Sequence, residues 1–518
     1  MSYNLHKTKI KDKHIALILT SIIISIILVR VFFYPYDLPI THDGNNFFSY
    51  ALDTAILNSL PTDYTLPNNG WPLFLSLFFK IFQFDSALEY MDLQRVLSII
   101  ISVGTVIPVY FLSRKFFSPI LSLIGCVLFG FSPLLIQNSF LGVTEPLYIF
   151  LITISLSFFL SKKPKIIYCS FWIIALASIV RYEGIVLLIP FSIMFFAKFE
   201  DKKRYIPRYF FIILICILIL LPIAYLRMET TDNDGFSNVI KGPQYIINVS
   251  SSDVEENDHK NIINFIQDGI SGIFKYLGWS LVPYFIILIP FGIMKLFRNI
   301  DHNKKTIILI SIFLLIPAFY AYSREFQDGR YVFVMYPIFA LISLYLVEFF
   351  MKKINNVKWI SVGIICIVVC SSILVINYQL PDYNYEREYL DIAYFIYHNT
   401  GAVNHYYPEA KYLNFIKYDA LDDFPKLSTD FPLMRNSKII VDPESNTVGS
   451  VLEYLELQKN TNLTHIVTNG NNADPDILNK IFSNEEDYPY LEKIFDSKER
   501  GYENHVKVFK INFDMIEE

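Results

Sequence analysis

Apolar runs of about 20 residues recur through the first three quarters of this 518-residue chain. A helix of that length crosses the roughly 30 Å hydrocarbon layer of a bilayer at about 1.5 Å per residue. Only 18% of the residues are charged, whereas a soluble domain typically carries about a quarter. The sequence therefore predicts a polytopic α-helical membrane protein.

About eleven segments are apolar enough to be predicted as spans. The fifth and sixth are short and are separated only by Arg181-Tyr182-Glu183, so one long helix is the alternative there. The first span has no small-residue cleavage site after it, which predicts an uncleaved anchor. The predicted spans are 15–33, 93–112, 119–138, 145–160, 166–180, 184–197, 208–226, 279–297, 305–322, 331–350 and 357–376.

Basic residues fix the predicted orientation. With the N-terminus in the cytoplasm, the inner segments hold 21 Lys and Arg, whereas the outer loops before residue 377 hold 8. Cytoplasmic loops carry the excess of basic residues in membrane proteins, so this direction is favoured. The long loops 34–92 and 227–278 then lie outside, and the run from Ile262 to Tyr276 is predicted to be an amphipathic interfacial helix.

The chain is predicted to divide into a transmembrane catalytic domain, 1–376, and an extracytoplasmic domain, 377–518. In the second domain, short β-rich runs alternate with helical patterns at 386–398, 448–459 and 475–483, which favours a small α/β structure. The β-rich runs are 438–442, 464–468 and 505–510.

Composition excludes several kinds of site. A net charge of -5 argues against nucleic acid as a partner. The five cysteines all fall within apolar runs, and the nine histidines lack ligand spacing, so no metal site is predicted. No cofactor is predicted with certainty, and a requirement for a divalent cation is left open.

Ionisable residues are nearly absent from the span interiors and gather at the outer helix ends. A transporter should place such groups near the middle of the bilayer, so this distribution favours an enzyme that acts on a lipid-bound substrate. Asp43, in Thr41-His42-Asp43-Gly44, is a candidate general base, and the alternative is a helix N-cap. His42 is interpreted as its polar neighbour.

Two further clusters carry arginine. Arg181 and Glu183 are candidates for positioning a phosphate or a sugar hydroxyl, and mutual pairing is the alternative. Arg324 and Arg330, followed by Tyr331, are candidates for phosphate binding because a guanidinium matches phosphate oxygens bidentately. Pairing of Arg330 with Asp328 is the alternative there. Glu145 is either a positioning residue or a group that favours the dipole of a helix N-terminus.

The order of these features resembles the GT-C superfamily of integral-membrane glycosyltransferases, in particular the branch of protein O-mannosyltransferases and lipid A aminoarabinose transferases. The likeness covers roughly residues 15–376. The residues that carry it are Asp43 in the first outer loop, Asn69-Gly70-Trp71-Pro72, Arg95 near the start of the second span, Ser178-Ile-Val-Arg181-Tyr-Glu183-Gly184, and Arg330-Tyr331 with Pro337.

The resemblance implies an inverting transfer of a sugar from a polyprenyl-phosphate-linked or dolichyl-phosphate-linked donor to a protein, lipid or glycan acceptor at the outer face of the cell membrane. Asp43 would be the general base. Arg330, Arg324, Arg181 and Arg95 would bind the donor phosphate, and Glu183, Glu145, His42 and Tyr331 would position the substrates.

Two alternatives stay open. Oligosaccharyltransferases carry a Trp-Trp-Asp-Tyr-Gly motif in their soluble tail, and no tryptophan follows residue 376 in this chain. The other alternative is a flippase or transporter for lipid-linked sugars, which would line a central cavity with buried ionisable residues.

Overall fold

The computed structural model describes most of the chain. The described residues are 12–62, 64, 68–199, 201–237, 239, 262–353, 357–400, 411–419, 425, 450–458, 463–470 and 476–516. The acidic stretch 253–258, the β-rich run 438–442 and the glycosylation sequons at Asn248 and Asn462 lie outside them.

Most of the described chain is helical, and the predicted polytopic helical class is confirmed. Six described helices are long and apolar enough to cross a membrane, or eight if each of two bent pairs counts as one span. Several of the other predicted spans are helices shorter than 18 residues. The helices up to residue 379 are Asp12–Phe32, His42–Leu57, Gly70–Ile81, Ala87–Gly104, Val106–Ser113, Pro119–Gly130, Pro133–Ser139, Glu145–Phe159, Pro164–Val180, Leu188–Lys198, Lys202–Thr231, Ile262–Ser280, Phe285–Leu296, His302–Ser323, Tyr336–Lys353 and Val357–Gln379.

The third predicted span is broken. Pro119–Gly130 and Pro133–Ser139 meet at an angle of 57°, because Pro133 cannot donate the hydrogen bond that would continue the helix. The break leaves carbonyl groups without helical partners. Arg30, which is 1% exposed, donates to the carbonyl of Gly130 at 3.1 Å and to the hydroxyl of Ser102 at 3.2 Å.

The fifth and sixth predicted spans are two separate helices. Pro164–Val180 ends at Arg181, whose backbone is extended, and a 3-10 turn over Tyr182–Leu187 leads into Leu188–Lys198. The alternative of one long helix is therefore wrong. A second 3-10 turn, Gly329–Met335, precedes Tyr336–Lys353.

The amphipathic helix predicted from Ile262 is present as Ile262–Ser280 and turns by 112° before Phe285–Leu296. It packs closely on His302–Ser323 at two glycines. A Cβ at Gly269 or Gly272 would overlap the side chains of Phe319 or Tyr322 respectively, so only glycine permits this approach.

Residue contacts divide the chain into two compact units. The first unit comprises Met1–Tyr34, Leu57–Leu77 and Arg95–Gln379. The second comprises Pro35–Ile56, Phe78–Gln94 and Leu380–Glu518, so parts of the loop 34–92 cluster with the C-terminal region. The boundary that the sequence predicts at residues 376 and 377 stays a prediction.

The second unit contains a three-stranded antiparallel sheet. Strands β1 (His465–Thr468), β2 (Leu491–Asp496) and β3 (Lys507–Ile511) lie in the order β1-β3-β2, and a register shift between Lys493 and Phe495 bends β2. The helices of the C-terminal region are Tyr383–Thr400, Leu413–Asp419, Val451–Gln458 and Asp476–Ser483. Buried residues of these strands and of three of the helices form one apolar core, as an α/β unit requires.

Candidate functional site

Five of the residues predicted as site residues line one pocket of the first unit. They come from the start of Glu145–Phe159, from the turn after Pro164–Val180 and from the turn before Tyr336–Lys353. The pocket encloses about 350 Å³ of empty space, including its mouth. It is lined by Glu145, Tyr148, Ile149, Arg181, Glu183, Leu314, Pro317, Arg330, Tyr331 and Val334.

Arg181 is held by two carboxylates. Its guanidinium lies 2.5 Å from an oxygen of Glu145 and 3.1 Å from an oxygen of Glu183, and these three side chains are between 7% and 13% exposed. The alternative of mutual pairing is thus present, and the role of Arg181 and Glu183 in positioning a phosphate or a sugar hydroxyl stays a prediction. A guanidinium with two fixed partners keeps one orientation, which is a requirement for aiming it at a substrate.

Two aromatic rings enclose the same guanidinium. The carbon of the Arg181 guanidinium lies 5.9 Å from the ring centre of Tyr148 and 5.5 Å from that of Tyr331. Tyr331 was predicted from the sequence, whereas Tyr148 was not. Its signal is its spacing, because Tyr148 follows Glu145 by three residues on one helix and such residues share a face.

Glu183 presents an acceptor to the pocket. Its Oε1 accepts from Arg181, while its Oε2 is buried and has no hydrogen-bond partner among the described residues. A buried carboxylate oxygen without a partner is costly, so such an atom is suited to accept a hydrogen bond from a bound ligand.

Arg330 pairs with Asp328, as the alternative reading of this loop has it. The guanidinium lies 2.5 Å from the carboxylate, and the backbone N–H of Arg330 donates to the same side chain at 2.8 Å. Arg330 is 25% exposed, about twice as much as Arg181. Arg330 is therefore the cation of the pocket that a ligand from outside can approach more easily.

The segment before Gly70–Ile81 supports the pocket from behind. Asn68 accepts a hydrogen bond from the backbone N–H of Tyr182 at 3.3 Å, and Trp71 donates to the carbonyl of Gly142 at 2.7 Å. A Cβ at Gly70 would lie 2.7 Å from the backbone of Val180, so only glycine fits beside the turn that carries Arg181. Asn68, Gly70 and Trp71 thus fix the two loops that place Glu145 and Arg181.

Two arginines predicted to bind phosphate point elsewhere. Arg95 is 3% exposed, donates to the carbonyl of Phe140 at 2.9 Å and lies 5.4 Å from the ring centre of Tyr34. Arg324 is exposed and lies against Tyr320, to whose hydroxyl it donates at 3.4 Å. Neither lines the pocket, and their phosphate-binding role stays a prediction.

Asp43 and His42 belong to the second unit. Both are exposed in the first turn of His42–Leu57, and His42 has a positive φ of 53°, which is uncommon for a residue other than glycine. The side chain of Gln94 donates to the carbonyl of Gly44 at 2.9 Å and fixes this turn. The position of Asp43, Arg181, Glu183 and Arg330 at predicted outer helix ends leads to the expectation that they share one cavity, and for Asp43 this stays a prediction.

Within the described residues, no group of three or more His, Cys, Asp and Glu side chains is placed to hold a metal ion.

Residues 70–226 match the sequence family described as dolichyl-phosphate-mannose-protein mannosyltransferase. This segment contains Glu145, Tyr148, Arg181 and Glu183. No curated protein sequence matches the chain significantly.

Solved structures of two membrane enzymes have a similar fold. ArnT from Cupriavidus metallidurans bound to undecaprenyl phosphate is similar with a TM-score of 0.56 and 10% identity, over 96% of this chain and 97% of that protein. The oligosaccharyltransferase of Archaeoglobus fulgidus is similar with a TM-score of 0.55 and 12% identity, over 91% of this chain and 70% of that protein. A structure of the same archaeal enzyme, AglB, with an inhibitory peptide and a dolichol-phosphate has a TM-score of 0.53 and 13% identity, over 87% and 69% of the two chains. The predicted resemblance is confirmed at the level of fold.

Proposed function

We propose that this chain, which has the fold of the GT-C membrane glycosyltransferases, transfers a sugar from a polyprenyl-phosphate-linked donor to a protein, lipid or glycan acceptor. The observation that carries the proposal is the pocket in which Arg181, Glu183, Arg330 and Tyr331 meet at one end of the apolar helices. Two comparisons support the donor class. Residues 70–226 match a mannosyltransferase family, and similar solved structures contain undecaprenyl phosphate or dolichol-phosphate.

The reaction is a substitution with inversion at the anomeric carbon. An acceptor oxygen attacks that carbon from the face opposite the phosphate, and the bond between the carbon and the phosphate oxygen breaks. Polyprenyl phosphate leaves with the bonding electron pair, and Asp43 takes the acceptor proton as general base. Negative charge grows on the leaving phosphate, where fixed positive groups lower the barrier most.

Each pocket residue has a separate role in this reaction. Arg330, more exposed than Arg181, binds the donor phosphate and exchanges part of its contact with Asp328 for phosphate oxygens. Arg181 stabilises the negative charge of the same phosphate, and its contacts with Glu145 and Glu183 fix its orientation. Glu183 accepts a hydrogen bond from a sugar hydroxyl through its Oε2, and Tyr331 and Tyr148 provide faces against which the sugar ring packs.

The active side of the protein is the outer face, with the N-terminus in the cytoplasm and the C-terminal region, which helps to bind the acceptor, outside the cell. The excess of basic residues in the inner segments supports this orientation. Labelling of Lys162→Cys and Glu486→Cys in intact cells with a membrane-impermeant maleimide tests it. Only Glu486→Cys is expected to be labelled. Labelling of Lys162→Cys alone would show that the protein has the opposite orientation.

The oligosaccharyltransferase alternative differs in the donor, which carries an oligosaccharide instead of one sugar. The archaeal relative supports this alternative because its fold is shared. The absence of a tryptophan after residue 376, and so of the Trp-Trp-Asp-Tyr-Gly motif, favours the transfer of a single sugar.

The transporter alternative needs unpaired ionisable groups along a central path. The most buried arginines of the first unit instead donate to polar groups of the protein, Arg30 to the carbonyl of Gly130, Arg95 to the carbonyl of Phe140 and Arg227 to the side chain of Asn69. These contacts fit structural roles at helix ends, and they favour the enzyme over the transporter.

The test is transfer by the purified full-length protein from radiolabelled polyprenyl-phosphate sugars to candidate acceptors. Arg330→Gln is expected to reduce transfer by about 10²-fold or more, in the range seen when a single stabilising donor is removed from an enzyme. Arg208→Gln, an exposed arginine outside the pocket, is the matched control and should transfer normally. An arm with EDTA determines whether a divalent cation is needed. Transport of the intact donor lipid without cleavage would overturn the proposal.

A further inference from the structure

A second groove of the first unit lies between Phe285–Leu296 and Tyr336–Lys353. The two helices approach closely because Gly292 faces the backbone of Ile342, and a Cβ there would overlap its carbonyl oxygen. The groove has about 1220 Å³ of empty space, including its open side. It is lined by Ile287, Leu288, Phe291, Met294, Lys295, Phe297, Arg298, Leu346, Phe349 and Phe350.

This groove is at the end of the spans opposite the candidate site. Tyr331 lies in the turn before Tyr336–Lys353, whereas Phe349 and Phe350 lie in the last turns of that helix. From Tyr336 to Phe349 alone the helix advances about 20 Å. One occupant therefore cannot place the same phosphate in both the pocket and the groove.

The chemistry of the groove is divided along its length. Eight of its lining residues are apolar, and its two cations, Lys295 and Arg298, lie together at one end. The ammonium of Lys295 is 4.0 Å from the ring centre of Phe349. In the part of the chain that the structure describes, neither cation forms an ion pair with a carboxylate. The groove thus combines an apolar channel with a cationic end.

The length of the groove matches one leaflet of a bilayer. The helical path from Ile287 to Arg298 advances about 17 Å, and half of the hydrocarbon layer is about 15 Å. A molecule with acyl chains in the channel would therefore place its head group beside Lys295 and Arg298.

We propose that this groove binds an anionic glycerophospholipid, with its acyl chains along Phe291 and Leu346 and its phosphate between Lys295 and Arg298. The groove has an apolar channel about one leaflet long and two cations without ion-pair partners among the described residues at one end. These features match a lipid that has a single anionic head and two acyl chains. A zwitterionic phospholipid carries a cation of its own and gains less from the two basic side chains.

Native mass spectrometry of the full-length protein in detergent tests the site. Phosphatidylglycerol is titrated against phosphatidylcholine with the same acyl chains, and glycerol phosphate and undecaprenyl phosphate are separate probes. Wild-type protein is expected to retain phosphatidylglycerol preferentially. Glycerol phosphate, which has no chains, should not compete for the groove.

The variant Lys295→Gln/Arg298→Gln removes both charges. The preference for phosphatidylglycerol should fall by about 10- to 30-fold, since each basic residue near an anionic head group contributes a factor of about five. The matched control is Lys162→Gln/Lys165→Gln, two exposed lysines outside the groove, which should keep the preference. Thermal unfolding of both variants without added lipid checks that they remain folded.

Three results would overturn the proposal. They are equal retention of the two phospholipids by the wild type, an unchanged preference in Lys295→Gln/Arg298→Gln, and stronger retention of undecaprenyl phosphate than of phosphatidylglycerol that the same variant abolishes. The last result would assign the groove to an isoprenoid phosphate. None of these outcomes depends on the transfer reaction.

Discussion

The hydroxyl of Tyr418 donates a hydrogen bond of 2.8 Å to the hydroxyl of Ser49, which lies in the helix that begins with His42 and Asp43. The ring of Tyr418 also packs edge to face on buried Phe48, with ring centres 5.3 Å apart. Asp37, five positions before His42, forms an ion pair of 2.5 Å with Arg387 of the C-terminal region. The C-terminal region therefore braces the helix that carries the proposed base.

Tyr418→Phe should reduce transfer by a few fold, because it removes one hydrogen bond worth about 1 kcal/mol while keeping the ring. The measurement is the rate of sugar transfer, together with thermal unfolding. Tyr490→Phe is the control, since that hydroxyl makes no hydrogen bond among the described residues. Equal rates for the wild type and Tyr418→Phe would show that this brace does not position the base.

Asp43→Asn separates the two interpretations of Asp43. If Asp43 is the base, transfer falls by about 10²–10⁴-fold while the protein stays folded, because asparagine caps helices about as well as aspartate. Transfer rate and donor binding are measured in the same preparation, and donor binding should be unchanged. Wild-type transfer by the folded variant would remove the base assignment and leave the N-cap interpretation.

Glu145→Gln and Glu183→Gln should have different effects although both carboxylates contact Arg181. In Glu145→Gln, Arg181 loses its closer ion-pair partner. Because both side chains of this pair are less than 13% exposed, the free energy of unfolding should fall by roughly 3 kcal/mol or more, measured as a lower Tm. Glu183→Gln should affect the Tm less and the KM for the donor more, because Glu183 lines the pocket and its second oxygen has no hydrogen-bond partner among the described residues. The same Tm loss in both variants with unchanged KM would contradict the ligand-binding role of Glu183.

Gly70→Ala tests the support behind the pocket. The new methyl group would lie 2.7 Å from the backbone of Val180, so the turn with Arg181 must shift and transfer should fall by at least tenfold. Gly278→Ala is the matched control, because nothing lies within 4 Å of a Cβ there. Transfer assays on both variants give the comparison, and normal activity of Gly70→Ala would show that the turn tolerates the displacement.

Acid should destabilise the C-terminal sheet through Asp496. Burial alone would raise the pKa of this carboxyl, but the hydrogen bond from the backbone N–H of Lys498 and the charges of His505 and Lys493 hold the pKa below its ordinary value. A carboxyl with a lowered pKa stabilises the fold above its unfolded pKa of about 4 and loses that contribution as the pH falls through the folded value.

Thermal unfolding at pH 7 and pH 3 measures this effect. The loss of Tm on acidification should be smaller in Asp496→Asn than in the wild type. Asp487→Asn, an exposed residue of the same region, should keep the full loss. An identical loss in wild type and Asp496→Asn would assign the acid sensitivity to other carboxyls.

Hydropathy predicted the helices well because the period and length of an apolar run are local properties. Within the loop 34–92, helical patterns in the sequence at 45–60 and 71–84 correspond to His42–Leu57 and Gly70–Ile81. Strand β2 was not predicted, because Leu491-Glu-Lys-Ile-Phe-Asp lacks strict alternation and a register shift displaces its later residues. Breaks within spans, such as the one at Pro133, were also missed.

The sequence offered two local pairs as alternatives, Arg181 with Glu183 and Arg330 with Asp328, and both are present. It did not predict the contact between Arg181 and Glu145. Arg181, Glu183 and Glu145 are separated by up to 38 positions, and which carboxylate each arginine contacts depends on how helices pack. Arg95 illustrates the limit: the sequence placed it near the start of the second span, whereas the helix begins at Ala87, and its contact, the carbonyl of Phe140, is set by a distant turn. Pairs between neighbours in sequence are readable from sequence, whereas a pair between distant residues such as Arg181 and Glu145 is a tertiary property.

The contact between Arg30 and Gly130 has a consequence for the way the first helix is held in the bilayer. Most of Asp12–Phe32 is apolar and exposed, and lipid chains offer such a surface nearly the same environment as neighbouring helices do. Apolar packing alone would let this helix slide or rotate with little change in free energy. The Arg30 guanidinium, bound to the Gly130 carbonyl and the Ser102 hydroxyl, opposes both movements, so polar contacts near one end of the helix hold its depth and its rotation.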